Sequence, residues 1–188
     1  MERAAIAILA DFTTHNIARR MVYEMNRHAP IDFFGSLLPA HVSLKQPFEF
    51  EEMGRLEAWF DSLARRMAPF TIELDRVYYS EWDGSGIIGL NVVETPILRA
   101  LHNLINRELK DVVAHPSAAH DGETYAFHMT VELGPVGVDN PYKAFFDGLK
   151  DKRLALSFTA QHLALFYYSG ELIRPGNFHT YRVMPFGS

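Results

Sequence analysis

The chain has 188 residues, the length of one large domain, and 48% hydrophobic with 22% charged residues is enough apolar content to bury a core. A formal charge of −5 excludes a protein that coats nucleic acid through long rows of phosphate contacts, though a small nucleotide or one RNA end needs only a few local donors. The absence of cysteine excludes disulfides, thiolate chemistry and cysteine-held metals, and fits a cytoplasmic protein. No apolar run approaches the roughly 20 residues of a membrane helix, and the opening "MERAAIAILADF" reads as a first strand rather than a signal peptide.

Residues 4–11 alternate as that strand, and Thr13 or Thr14 can cap a helix to about Asn26 with Ile17, Met21, Val22 and Met25 inward. The strand "AHVSLKQ" (40–46) follows, then a helix over 51–66 with Met53, Leu56, Trp59, Phe60, Leu63 and Met67 on one face. Residues 70–79 form a strand that turns through "DGSG" (83–86) into another over 87–93. The order then starts again. Thr95-Pro96 is a cap followed by proline at the first helical position, and Asn140-Pro141 repeats that device after the strand "AFHMTVELG" (126–134). Residues 154–168 read as one long or bent strand and 178–184 as the last. The expectation is one bilobal domain over 1–188, with lobe-like halves of about 1–80 and 86–170 and the final strand completing a sheet.

Each half contains a histidine strand. Residues two apart on a strand share a face. Alternation therefore puts His41, Ser43 and Lys45 on one face and Val42 and Leu44 on the other. Likewise Ala126, His128, Thr130 and Glu132 oppose Phe127, Met129, Val131 and Leu133. Polar faces turned into a shared groove would let the two imidazoles confront each other. With ordinary values near 6.5, one ring can take a proton while the other gives one. The hydroxyls would donate to phosphate oxygens between them.

Two copies of His-x-[Ser/Thr]-apolar, His41-Val42-Ser43-Leu44 and His128-Met129-Thr130-Val131, resemble the signature of the 2H phosphoesterase superfamily. Its members include the LigT-like 2'-5' RNA ligases and cyclic nucleotide phosphodiesterases. The resemblance implies an α+β fold of two pseudo-symmetric lobes, with antiparallel sheets lining a central groove and helices packed outside. It also implies hydrolysis or ligation of 2',3'-cyclic or 2'-5' phosphodiesters in RNA ends or small nucleotides, without metal or other cofactor. Carried over by position, His41 and His128 are the catalytic pair, and Ser43 and Thr130 bind phosphate.

Lys45, on the predicted groove face, and Tyr168, near the end of a long strand, are candidates for further substrate contacts. Glu132 is expected toward the groove rim, because a carboxylate repels phosphate. A third loose match, His115-Pro116-Ser117-Ala118, lies in a proline-containing loop and lacks strand context, and His115 with His120 lacks the third ligand of a metal site. Two rivals to the enzyme stand beside it: an inactive nucleotide- or RNA-end-binding module of the same fold, and a structural α+β protein whose histidines lie far apart. Substrate choice falls to the loops around 48–52, 114–124 and 169–177. Oligomeric state leaves no trace in the sequence.

Overall fold

Eight strands and four α-helices make up the described residues' regular structure in a computed structural model, those residues being all but 1, 29–30, 32–36, 119–120, 139, 171–177 and 188. Strand β1 (Glu2–Leu9) leads to α1 (Phe12–His28), β2 (His41–Glu49), α2 (Met53–Arg65), β3 (Phe70–Trp82) and β4 (Ser85–Val92). Then come α3 (Pro96–Glu108), β5 (His128–Pro135), α4 (Pro141–Asp147), β6 (Leu156–Ala160), β7 (His162–Ser169) and β8 (Phe178–Pro185). All pairings are antiparallel, in two four-stranded sheets of order β2-β1-β7-β8 and β5-β4-β3-β6.

The sheets exchange strands. β3 follows the first-half helices but pairs with β4 of the second sheet, and β7 returns from the second half to pair with β1. The expected continuous strand over 154–168 is therefore two strands in two sheets. Gln161 stands between Phe158 and Ala160, which pair with β3, and Leu163 onward, which pair with β1. Alternation within one segment cannot reveal such a handover, since pairing is decided by distant partners.

Local chemistry accounts for most boundaries. Thr95 Oγ1 accepts the Leu98 N–H at 3.2 Å and Asn140 Oδ1 accepts the Lys143 N–H at 3.0 Å, each followed by proline at the first helical turn. In α1 the cap is Asp11, whose carboxylate accepts the Thr14 N–H at 2.7 Å, rather than Thr13 or Thr14. Asp11 immediately precedes the helix and so its carboxylate reaches an orphan N–H of the first turn that the threonines, already helical, do not. The β3–β4 hairpin closes on Asp83 (φ 48°) and Gly84 (φ 70°), a two-residue turn of the type that needs left-handed backbone at both positions.

The helices cover the outer faces. Leu56, Phe60, Leu63 and Ala64 of α2 and Leu98, Leu101 and Ile105 of α3 join Ile6, Val42, Leu90 and Met129 in one apolar core. Each large side chain buried there contributes roughly 1.5–3 kcal/mol. A second, small cluster of Ala5, Ala7, Ala164 and Phe166 lies on the opposite face of the first sheet. That is the groove face. No described helix is long and apolar enough to cross a membrane.

Candidate active site

β2 and β5 are edge strands of their sheets, and they abut. In register, His41 lies opposite Leu9 and Ser43 opposite Ala7, while His128 lies opposite Asn91 and Thr130 opposite Gly89. A bulge follows each hydroxyl. Ser43 pairs with Ala7 but Lys45 with Ile6, which leaves Leu44 extra; Thr130 pairs with Gly89 but Glu132 with Ile88, which leaves Val131 extra. A bulge sets two successive residues against one and re-aims the side chains beyond it. Leu44 and Lys45 are thus both buried, as are Val131 and Glu132.

This overturns the groove positions expected for Lys45 and Glu132. Lys45 is 1% exposed and Glu132 0% exposed. Strict alternation holds from histidine to hydroxyl and fails one residue later, at the same place in both strands. Glu132 instead accepts the Leu133 N–H at 3.0 Å, and its charge partly opposes the lowering of the Arg19 pKa that burial on α1 imposes.

Lys45 serves as a strut. It pairs with Asp121, whose other oxygen accepts the Gln46 N–H at 3.4 Å. Around that pair, the segment leading into β5 is fastened to β2. The Tyr125 hydroxyl donates to the Ser43 carbonyl at 3.1 Å and accepts from Gln46 Nε2 at 3.2 Å. Burial pushes the Tyr125 phenol up to about 12, so it keeps the proton it donates. His102 donates Nδ1–H to the Leu44 carbonyl at 2.7 Å, while its Nε2 accepts the Gly122 N–H at 3.2 Å. Its ring stacks on Tyr125 with centroids 4.6 Å apart. A buried charge pair needs this completeness, because unmet desolvation costs several kcal/mol per ion.

The two motif rings are held alike. His41 Nδ1 is 2.8 Å from the Pro39 carbonyl and His128 Nδ1 is 2.9 Å from the Ala126 carbonyl, each two residues upstream. A carbonyl only accepts, so Nδ1 carries hydrogen in both rings and Nε2 is left to exchange protons. Their surroundings differ. His41 meets the edge of Phe166 at 4.6 Å, and its pKa is pushed down to about 4, mostly by burial, with the charge of His128 adding to the effect and the Pro39 carbonyl opposing it. The rings therefore feel each other. His128 is flanked by Tyr78 at 5.7 Å and Tyr125 at 6.5 Å.

The profile of the 2'-5' RNA ligase superfamily matches residues 18–172. The chain belongs to this superfamily, the 2H phosphoesterases. Among solved structures it is similar to E. coli LigT complexed with 3'-AMP, at 17% identity, TM-score 0.57 and 98% coverage of each chain. It is similar to TT0787 of Thermus thermophilus at 14% identity and TM-score 0.60, covering 98% of each chain. It is similar also to Kluyveromyces marxianus Usb1 at 11% identity and TM-score 0.57, covering 98% of this chain and 97% of that one. Other LigT structures are complexed with ATP and with NADP+. At these identities the likeness is one of fold. No curated protein matches the sequence.

Within this 2H fold, Tyr168 lies on the groove face beside Phe166 but is 2% exposed. Its ring edge packs on Phe178 at 5.1 Å, and its hydroxyl bonds to Arg3, which also reaches Glu49 at 3.1 Å. His115 sits in an isolated bridge to Glu49, away from either motif, and His120 lies outside the described residues. Among the described residues no three His, Asp or Glu side chains gather as a metal site.

Tyr78 is the groove residue that alternation and motif both pass over. It stands in register with Gly89, which stands in register with Thr130, so the three form a row across β3, β4 and β5. Its signal was Gly89, inside the strand "IIGLNV": a glycine in a strand interior marks a close approach of something to the backbone.

Proposed function

We propose that the chain is a phosphoesterase that opens 2',3'-cyclic or 2'-5' phosphodiester bonds in RNA ends or small nucleotides by two-histidine acid–base catalysis. The observation that carries this is the matched pair of imidazoles on abutting strands, each with Nδ1 tied to its own upstream carbonyl and Nε2 left for proton exchange. Membership of the superfamily supports it, and so do the nucleotides bound by LigT. The two histidine strands come from different halves of the chain and abut, which favours one bilobal unit over 1–188.

In the hydrolytic direction His41, kept neutral by its surroundings, takes a proton from water as the water oxygen attacks phosphorus. His128 gives a proton to the ribose oxygen as its bond to phosphorus breaks, and a phosphomonoester results. Ser43 and Thr130 donate to the non-bridging oxygens, where negative charge gathers. Ligation is the same path reversed. Every proton moves on groups of this chain, so the reaction as written calls for no cofactor. A cysteine-free chain needs no oxidising compartment to fold, and the cytoplasm is the location this reading assigns it.

The test is a panel of 2',3'-cyclic nucleotides and 2'-5'-linked dinucleotides, assayed with and without EDTA. Turnover of at least one class, unchanged by the chelator, is expected. Binding of these compounds without any turnover would replace the enzyme by a nucleotide-binding module.

A further inference from the structure

The half of the groove built on the second sheet carries a hydroxyl that the first lacks. Where Ser43 lies across Ala7 and Ala164 on the first sheet, Thr130 lies across Gly89 and Tyr78 on the second. Gly89 is what lets the tyrosine cross the strand. A Cβ at that position would stand 2.3 Å from Tyr78 Cε1 and 2.6 Å from its hydroxyl oxygen, closer than any side chain tolerates. The ring thus lies on bare backbone in the row that leads to Thr130, close to the ring of His128, and the Thr130 hydroxyl acts on the phenol.

We infer that Tyr78 is a positioning residue for phosphate: its hydroxyl donates to Thr130 Oγ1 and thereby turns the Thr130 hydrogen toward the substrate's non-bridging oxygen. The direction of this relay follows from chemistry. A phosphodiester oxygen only accepts, so Thr130 must spend its single hydrogen there, and the Tyr78–Thr130 bond is then made with the tyrosine's hydrogen. A threonine hydroxyl is otherwise a free rotor, and a chain of hydroxyls polarises each bond in it. Burial raises the Tyr78 phenol to about 12, against the lowering by Thr130, so it remains a neutral donor across the working range. The inference rests on the phosphodiester reading above and extends it to a residue outside both motifs.

The experiment is a double-mutant cycle on the full chain with two readouts: kcat/KM on 2',3'-cyclic AMP and the dissociation constant for inorganic phosphate. Tyr78→Phe keeps the ring and removes the hydroxyl, and should weaken both about tenfold. Gly89→Ala should do the same by displacing the ring. In a Thr130→Val background, Tyr78→Phe should change either quantity less than twofold. A tenfold loss that persists in that background, or no loss from Tyr78→Phe alone, overturns the inference. Should Gly89→Ala fail to fold, the Tyr78 and Thr130 variants decide by themselves. Phosphate binding that shows the coupling without any turnover removes the enzyme reading and keeps the relay. Turnover with additive losses does the reverse, and neither turnover nor phosphate binding by the unaltered chain removes both.

Discussion

β2 and β5 are two versions of one device. Each is an edge strand, each presents a histidine and a hydroxyl two apart, and each ties Nδ1 to the carbonyl two residues upstream. Each breaks register directly after the hydroxyl, sending a charged side chain into the interior. What surrounds the devices is not repeated. His41 is enclosed against Phe166 and loses basicity, whereas His128 sits between two tyrosines. Lys45 finds Asp121, while Glu132 lies in the field of Arg19. Ser43 faces alanines and Thr130 faces a glycine bridged by tyrosine. Backbone symmetry brings two imidazoles onto abutting strands, close enough for one ring's charge to act on the other. Side-chain asymmetry gives them different surroundings.

The comparison can be broken first at the strut. Asp121→Ala strands the Lys45 charge in the interior, and chemical denaturation should show a loss of about 3–5 kcal/mol. Replacing both partners, as Lys45→Met with Asp121→Leu, should recover most of that stability. A single variant as stable as the parent would mean the pair does not clamp the strands. Activity should fall in both variants, because the segment that places His128 is loosened.

The second difference concerns protons. The folded value of about 4 for His41 lies below its ordinary 6.5, so between those values the native state binds fewer protons than the unfolded chain. Stability is therefore highest above pH 6.5 and falls as pH drops toward 4, by about 3 kcal/mol from this group. His41→Gln should flatten that part of the stability–pH curve. Identical curves for the parent and the His41 variant would show that the ring is not held neutral.

A smaller difference separates the hydroxyls. Thr130→Ala should lower kcat/KM about tenfold more than Ser43→Ala, the size of one hydrogen bond in the relay from Tyr78. Equal losses would return the two hydroxyls to equivalence.

Much of this was legible in the sequence. The repeated element order, the cap-plus-proline starts of α3 and α4 and the motif strands followed from spacing, because helix and strand periods and capping chemistry are local. Alternation put His41 with Ser43 and His128 with Thr130 on common faces, as found. It misplaced Lys45 and Glu132 because a bulge is a feature of the pairing and shows only against the partner strand. The handover at Gln161 and the partner Asp121 were hidden for the same reason: both are long-range pairings with no local trace. Tyr78 was half visible, through the glycine it lies upon.

The most direct test of the account is turnover by His41→Ala, His128→Ala and the double variant, measured on the best substrate of the phosphodiester panel. Rings that share one phosphorus act as a unit, so each single variant should fall about a hundredfold to ten-thousandfold, and the double should be hardly slower than either. A single variant that keeps the parent's rate, or losses that simply multiply in the double, would contradict the pairing.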